Sequence, residues 1–438
     1  MRNFKKIMLL CVIFFLLESV LGFALEPVTF QHYLEVELER KAEENIQPDL
    51  AFFGNSRIST SFIPSIFIEN IDDVELAFNG GTGSQSIAGT YYYLKDILEQ
   101  HELKYAVVGI DYQTILKGER VLKRDLLVLE RLKNPRIKAE FIADVFESSE
   151  YIYFLKSFQY RNNVKDIPKN VRTKFSEEYR KGVYTGSGMV YENLGFTRET
   201  SVFGTMAGIY ISQPWVEENI DWKNMEYLDK IVEVCQNKGV QLFFVSTPLT
   251  ISTVYGTPGY DECVEFFSQY AEKKGVPYDN LNLLKGREEF LPDSMMNCME
   301  HIGADRAEII SDYYSKVLNA RIQEDNSNSY FWNSVEEMRK NMKDIVSCAF
   351  RTERIDESGN RKIIGESLGK TDIRPEFQFE IEKDGKIDVL QEYSHTQEVI
   401  LPISKITYPM TLRVRCKSAR DNSEKMYEVV IDETTWQQ

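Results

Sequence analysis

Two stretches of the chain place residue types where nucleophilic chemistry would need them. In Phe52-Phe53-Gly54-Asn55-Ser56-Arg57 a serine follows a short apolar run and a glycine. In Cys298-Met299-Glu300-His301-Ile302-Gly303-Ala304 one of only four histidines precedes an amphipathic stretch. A serine hydroxyl becomes a nucleophile when a neighbouring base takes its proton, and a neutral imidazole suits that role near neutral pH. The oxyanion formed by attack on a carbonyl also needs donors. The Ser56 backbone N–H, the side chain of Asn79 and the amide near Gly80 or Gly81 are the candidates. Each also has an ordinary reading: Gly-Asn-Ser is a common turn sequence, and a single histidine is more often structural or exposed than catalytic. Asp111 ends another apolar run, where it would line the same edge or cap a turn; Thr247 and Pro248 end a further one.

The elements that must hold these residues are readable from 49 to about 318. Short apolar runs at 50–53, 74–78, 105–110 and 240–245 each end in Gly, Asn, Asp or Ser, and amphipathic helical stretches lie at 85–100, 222–238, 262–274 and 304–320. Such interleaving predicts a parallel sheet covered by helices on both faces, an α/β/α arrangement whose chemistry gathers at the carboxyl ends of the strands. From about 114 to 214 charged, aromatic helical segments, among them 120–132 and 139–156, interrupt the rhythm. That length exceeds a simple crossover and reads as an insertion that shapes or covers the site. Beyond about 327 the pattern becomes short strands without helices, at 377–382, 386–393, 398–402, 411–417 and 425–432, with Asp384-Gly385 as a hairpin signal. The expected organisation is therefore 1–25 as an export segment, 26–326 as the α/β domain and 327–438 as a small antiparallel β-sandwich-like accessory domain.

Over roughly 48–320 the sequence resembles the SGNH (GDSL-like) hydrolase superfamily, and within it the membrane-anchored extracytoplasmic branch that includes the D-alanine transfer protein of the teichoic acid pathway. Gly54-Asn55-Ser56-Arg57 is similar to the family's Gly-Asp-Ser or Gly-x-Ser-Arg nucleophile block, Phe78-Asn79-Gly80-Gly81 to its Asn-x-Gly block, and His301-Ile302-Gly303 to its Asp-x-x-His block. The resemblance implies Ser56 as nucleophile, His301 as general base and no metal or dissociable cofactor. The family's orienting Asp would stand at position 298, where this chain has Cys298. Asp293, or less favourably the adjacent Glu300, would have to orient the imidazole. Loss of that partner costs orders of magnitude in rate without abolishing the chemistry. A catalytically degenerate copy is the other expectation.

Composition narrows the setting. The chain has 43% apolar residues and 27% charged ones, the mix of a folded protein, and 52 Lys+Arg against 68 Asp+Glu leave a net charge of −16. No basic excess exists to displace counterions from phosphate backbones, which excludes nucleic acid as the main partner. Arg2, Lys5 and Lys6 precede an apolar stretch at 7–25 broken only by Glu18. This reads as a signal anchor or, with Gly22 and Ala24 as small residues before a cleavage point, as a removable signal peptide. Either places the body outside the cytoplasm, anchored to the membrane or secreted. Without residues 1–25, which hold three basic residues and one acidic, the body carries −18 and is repelled at long range by anionic lipids and wall polymers. The six cysteines lack zinc or disulfide-framework spacing. Since Cys11 lies in the apolar run, five remain, so at least one thiol stays unpaired in a monomer. The function expected is that of a bacterial extracytoplasmic esterase or O-acyltransferase acting on acyl groups of a cell-envelope polysaccharide or teichoic-type polymer, with a membrane-embedded acyl donor protein as partner. The alternative is a surface protein of the same fold that binds envelope glycan or a membrane acyltransferase.

Overall fold

The computed structural model describes residues 2–118, 120–184, 190–198, 214–290, 301–324, 327–355 and 359–431. Its centre is a five-stranded sheet built from the apolar runs of the first half of the chain. The strands are β1 (Leu50–Phe53), β2 (Ala77–Asn79) and β3 (Tyr105–Gly109), then, after the short hairpin β4 (Val190–Tyr191) and β5 (Thr197–Arg198), β6 (Gln241–Ser246) and β7 (Tyr278–Asn280). The order across the sheet is β2-β1-β3-β6-β7. Leu50 pairs in parallel with Ala77 on one side and Tyr105 on the other. The chain steps one way from β1 to β2 and the other way from β2 to β3. Right-handed crossovers therefore put α3 (Ser56–Ser61) and α4 (Pro64–Asn70), which join β1 to β2, on the face opposite α5 (Ile87–Gln100), which joins β2 to β3. Ahead of the sheet lie α1 (Arg2–Leu25) and α2 (Phe30–Glu43).

Two strands depart from expectation. β2 begins at Ala77 and not at Val74, because the Asp49 carboxylate accepts the N–H groups of Glu75 and Leu76 at 2.7 and 3.4 Å and so holds them out of the ladder. β7 was not expected at all, since Tyr-Asp-Asn is too short and polar to register as an apolar run.

By internal packing the chain divides into two units, one formed by Met1–Gly109, Gln113–Glu199 and Asp221–Phe243, the other by Ile110–Tyr112, Thr200–Ile220 and Phe244–Gln438. The first unit contains the helical insertion. Its expected helix at 139–156 is instead Pro135–Val145, with a 3-10 turn at Ser148–Phe154. Pro135 and the Asn134 cap, whose side chain accepts the Arg136 N–H at 3.0 Å, set the start. A reciprocal cap between Glu147 and Glu150 restarts the chain after Phe146. The segment is tied to α5 by Asp96, which is fully buried and accepts the N–H groups of Lys133 and Asn134, both at 2.8 Å.

The second unit carries two antiparallel sheets. β8 (Ile345–Arg354) and β9 (Arg361–Gly369) form a three-stranded sheet with β12 (Glu398–Leu401). β10 (Glu376–Lys383) and β11 (Lys386–Ser394) form a four-stranded sheet with β13 (Met410–Lys417) and β14 (Glu424–Ile431). β8 and β9 add to the five strands expected there. The two sheets share one apolar core, including Ile345, Phe350, Phe377, Phe379 and Leu412. Asp384 and Gly385 adopt φ of +49° and +74°, the left-handed pair that a two-residue hairpin requires, and Lys383 pairs with Lys386 across it. Cys348 and Cys416 lie in the same core as free thiols, as are Cys11, Cys235 and Cys263.

At the end of β13, Arg420 donates to both carboxylate oxygens of the buried Asp344, at 2.8 and 2.6 Å, and to Asp372 at 2.7 Å. The hydrogen bonds from Arg420 hold the Asp344 carboxyl below its ordinary value of 3.8. A carboxyl depressed in the folded state contributes stability above its unfolded pKa and loses it as the pH falls through the folded one. The difference in urea midpoint between wild type and Arg420→Gln is therefore expected to be full at neutral pH and to shrink steadily once the pH drops below 3.8.

Candidate functional site

Ser56 sits where the topology of a parallel sheet puts chemistry. It is the first residue of α3, immediately beyond the carboxyl end of β1, and β1 lies between β2 and β3 at the point where the strand order reverses. The turn is sterically determined. Gly54 has φ of +148°, and a Cβ on it would come within 2.7 Å of Ile58 Cγ1; a Cβ on Gly109, at the end of β3, would meet the same side chain at 2.5 Å. Two glycines thus leave room for Ile58, which seats α3 directly on the strand ends. Asn55 caps the helix by accepting the Arg57 N–H at 3.0 Å, and the Ser56 carbonyl accepts the hydroxyls of Ser59 and Thr60 at 2.9 and 3.0 Å. Ser56 itself remains half-buried.

Arg57 is a functional candidate to which the sequence reading assigned no role. Its guanidinium is 4% exposed and donates to Gln113 Oε1 at 2.5 Å. The guanidinium is thus a buried cation carried by the residue that follows the serine in the first turn of α3. Its signal was present only as the fourth residue of the Gly-Asn-Ser-Arg block.

Asn79 and Gly80, the donors expected for an oxyanion, are engaged within the fold. Asn79 is 1% exposed, and its Nδ2 donates to the carbonyls of Ile58 and Phe62 at 2.8 and 2.9 Å while its Oδ1 accepts the Gly81 N–H at 3.0 Å. The Gly80 N–H donates to the Phe52 carbonyl at 2.8 Å, as a strand-edge bond. These donors are consumed by the fold: α3 is only six residues long, so its carbonyls need partners outside the helix, and the Asn79 amide supplies them. The Asn79 backbone N–H donates to Leu194 in the β4–β5 hairpin at 2.7 Å, which brings the insertion against this edge. From the other side Arg131, 5% exposed, donates to the Gly80 carbonyl at 3.0 Å and stacks 3.8 Å from the centre of the Tyr93 ring.

In the second unit Asp111 and Thr247 are brought together, lining a cavity of about 10 Å³ with Ser246, Cys263, Tyr278 and Asn282, room for about one water. Asn282 organises its floor. It donates to the Thr247 carbonyl at 3.0 Å and accepts both the Leu249 N–H at 2.8 Å and Arg287 Nη1 at 3.0 Å. Burial, reinforced by the Asp111 charge, pushes the Cys263 thiol well above its ordinary value, so it offers no thiolate. His301 is half-buried in this unit and is followed by buried Ile302 and by Gly303, the cap of helix Ala304–Ile322. That helix is fixed to β7 by Arg321 and Asp279 at 2.9 Å. Asp293, with Cys298 and Glu300, lies outside the described residues. Among the described residues no group of three or more His, Cys, Asp or Glu side chains is arranged to hold a metal ion.

No family model and no curated protein matches the chain. Among solved structures it is similar to a presumptive acylhydrolase from Bacteroides fragilis, at 10% identity and a TM-score of 0.30, with 66% of this chain and 98% of that one covered. It is also similar to an endo-β-1,4-mannanase from Thermotoga petrophila, at 10% identity and a TM-score of 0.20, with 92% and 96% covered. Scores this low carry no weight for function, which must be read from the residues.

If the Asn79 amide is structural, Asn79→Ala and Asn79→Asp should both destabilise the protein, by about 2–4 kcal/mol in urea unfolding, because each leaves buried carbonyls without a donor. A role confined to substrate would instead leave the unfolding midpoint unchanged.

Proposed function

We propose that the protein is a membrane-anchored, extracytoplasmic serine esterase or O-acyltransferase acting on acyl groups of a cell-envelope polysaccharide or teichoic-type polymer. The observation that supports it most is the position of Ser56, which heads a helix at the carboxyl end of β1 where the strand order reverses. In this reading His301 takes the Ser56 hydroxyl proton as Oγ attacks the acyl carbonyl. The proton passes to the departing alcohol, and the acyl group remains on Ser56 until an acceptor hydroxyl or water, deprotonated by His301, removes it. The Arg57 guanidinium lends positive charge to the oxyanion in place of Asn79 and Gly80. Asp293 would orient the imidazole, and the acyl group would come from a membrane-embedded donor protein. The apolar helix α1, whose Phe4–Leu25 stretch holds an 18-residue window of mean hydropathy 2.6, supports anchoring.

A second reading, a non-catalytic protein of the same fold that binds envelope glycan or a membrane acyltransferase, is favoured by one observation: the amide donors of Asn79 and Gly80 are already committed. A fluorophosphonate applied to the full-length protein in detergent separates the two. The esterase reading expects one covalent adduct per chain by intact mass, absent in Ser56→Ala and formed roughly 10²-fold or more slowly in His301→Ala. An unlabelled but folded wild type, or an adduct that persists in Ser56→Ala, would leave the binding reading standing.

A further inference from the structure

The end of α1 is clasped by the helical insertion. Glu18 accepts the Ser157 N–H at 3.0 Å and also the Ser157 hydroxyl. The last carbonyls of a helix have no intrahelical donors. Here the Phe23 carbonyl accepts from Lys174 Nζ at 2.7 Å, and the Leu25 carbonyl from Nδ2 of Asn163 and of Asn170, both at 3.2 Å. The approach is close enough that a Cβ on Gly22 would fall 2.8 Å from the Lys156 Cβ.

This clasp leaves too little free helix to cross a bilayer. Phe4–Leu17 is fourteen residues, about 21 Å at 1.5 Å per residue, whereas a hydrocarbon core is roughly 30 Å thick. The whole of α1, at 24 residues and about 36 Å, does span it. Val20 and Leu21 are exposed on α1, and Phe23 remains partly exposed although its ring lies beside Lys174 and Phe175 of the clasp. For the membrane to cover them, it must reach the level of Phe23, and the clasping segment enters the interface with it. The outward side chains of that segment suit such a depth. Phe175 is 71% exposed with its ring 5.8 Å from that of Phe23, and Val164, next to the clasping Asn163, is 61% exposed. Near them Arg161, Lys165, Lys169 and Arg172 are exposed, and none takes a carboxylate partner among the described residues. Residues 156–181 contain eight basic and three acidic side chains, in a chain of net charge −16.

We propose that residues 156–181 form a membrane-interface collar around α1, with Val164 and Phe175 seated among the acyl chains and the four cations against anionic lipid head groups. The inference rests on α1 crossing a membrane, as in the proposed function, and the test distinguishes the two. Full-length protein is reconstituted in phosphatidylcholine vesicles with and without phosphatidylglycerol, with the photo-reactive residue p-benzoylphenylalanine placed at position 164 or 175. The collar expects lipid adducts at both positions, several-fold more abundant with phosphatidylglycerol. The combined variant R161Q/K165Q/K169Q/R172Q should lose that preference while keeping its adducts and its melting temperature. Protein that resists carbonate extraction yet gives no lipid adduct would overturn the collar and leave the anchor intact. Crosslinks to a protein in native membranes, without lipid adducts in vesicles, would reassign the surface to a membrane protein. Release by carbonate would overturn the anchor and the collar together.

Discussion

Asn79 spends both protons of its side-chain amide on the carbonyls of Ile58 and Phe62, its Oδ1 on the Gly81 N–H and its backbone N–H on Leu194. A single buried residue thereby ties the edge strand, the short helix α3, the turn after β2 and the insertion's hairpin to one another. The position of Ser56 follows from those ties, because α3 is too short to hold itself and rests on Ile58 in the space left by Gly54 and Gly109. Buried amide groups of this kind are costly when unsatisfied, so the network tolerates little rearrangement. The same commitment that makes the turn rigid leaves the Asn79 side-chain amide and the Gly80 N–H engaged within the fold, and the buried guanidinium of Arg57 lies on the residue that follows Ser56.

Charge is distributed as unevenly as polarity. Arg57, Arg131 and Arg287 are all buried, each with at least one hydrogen bond to a carbonyl or amide oxygen. Guanidinium groups suit such sites because they are weakly hydrated and present several fixed donors. At the surface the net negative charge conceals the basic stretch that grips α1. Long-range repulsion from anionic lipid describes the chain as a whole, while contact within a Debye length is governed by the local patch.

The legible part of the fold was the part written in local pattern. The apolar runs ending in Gly, Asn, Asp or Ser located four of the five parallel strands, and Asp384-Gly385 located a hairpin whose two residues both take left-handed backbone. β7 was invisible because three polar residues carry no periodicity, and β8 because its first six residues are buried on both faces and show no alternation. The candidate serine was legible for the same reason as the strands: strand, glycine and helix start are consecutive in sequence.

By itself the sequence determined the strand-and-helix alternation, the apolar N-terminal helix, the antiparallel character of the C-terminal region and the placement of Ser56 at a strand end. Each depends on periodicity or on residues within a few positions of one another. Only the tertiary structure decided where hydrogen-bond donors go. Asn79 and Gly80 stood in the right block, yet their protons belong to Ile58, Phe62 and Phe52, up to 28 positions away. It likewise decided that residues 156–174 close on the end of α1 some 130 positions earlier. Donor satisfaction and helix clasping are set by which groups are buried together, and that is a property of the folded chain that no local pattern encodes.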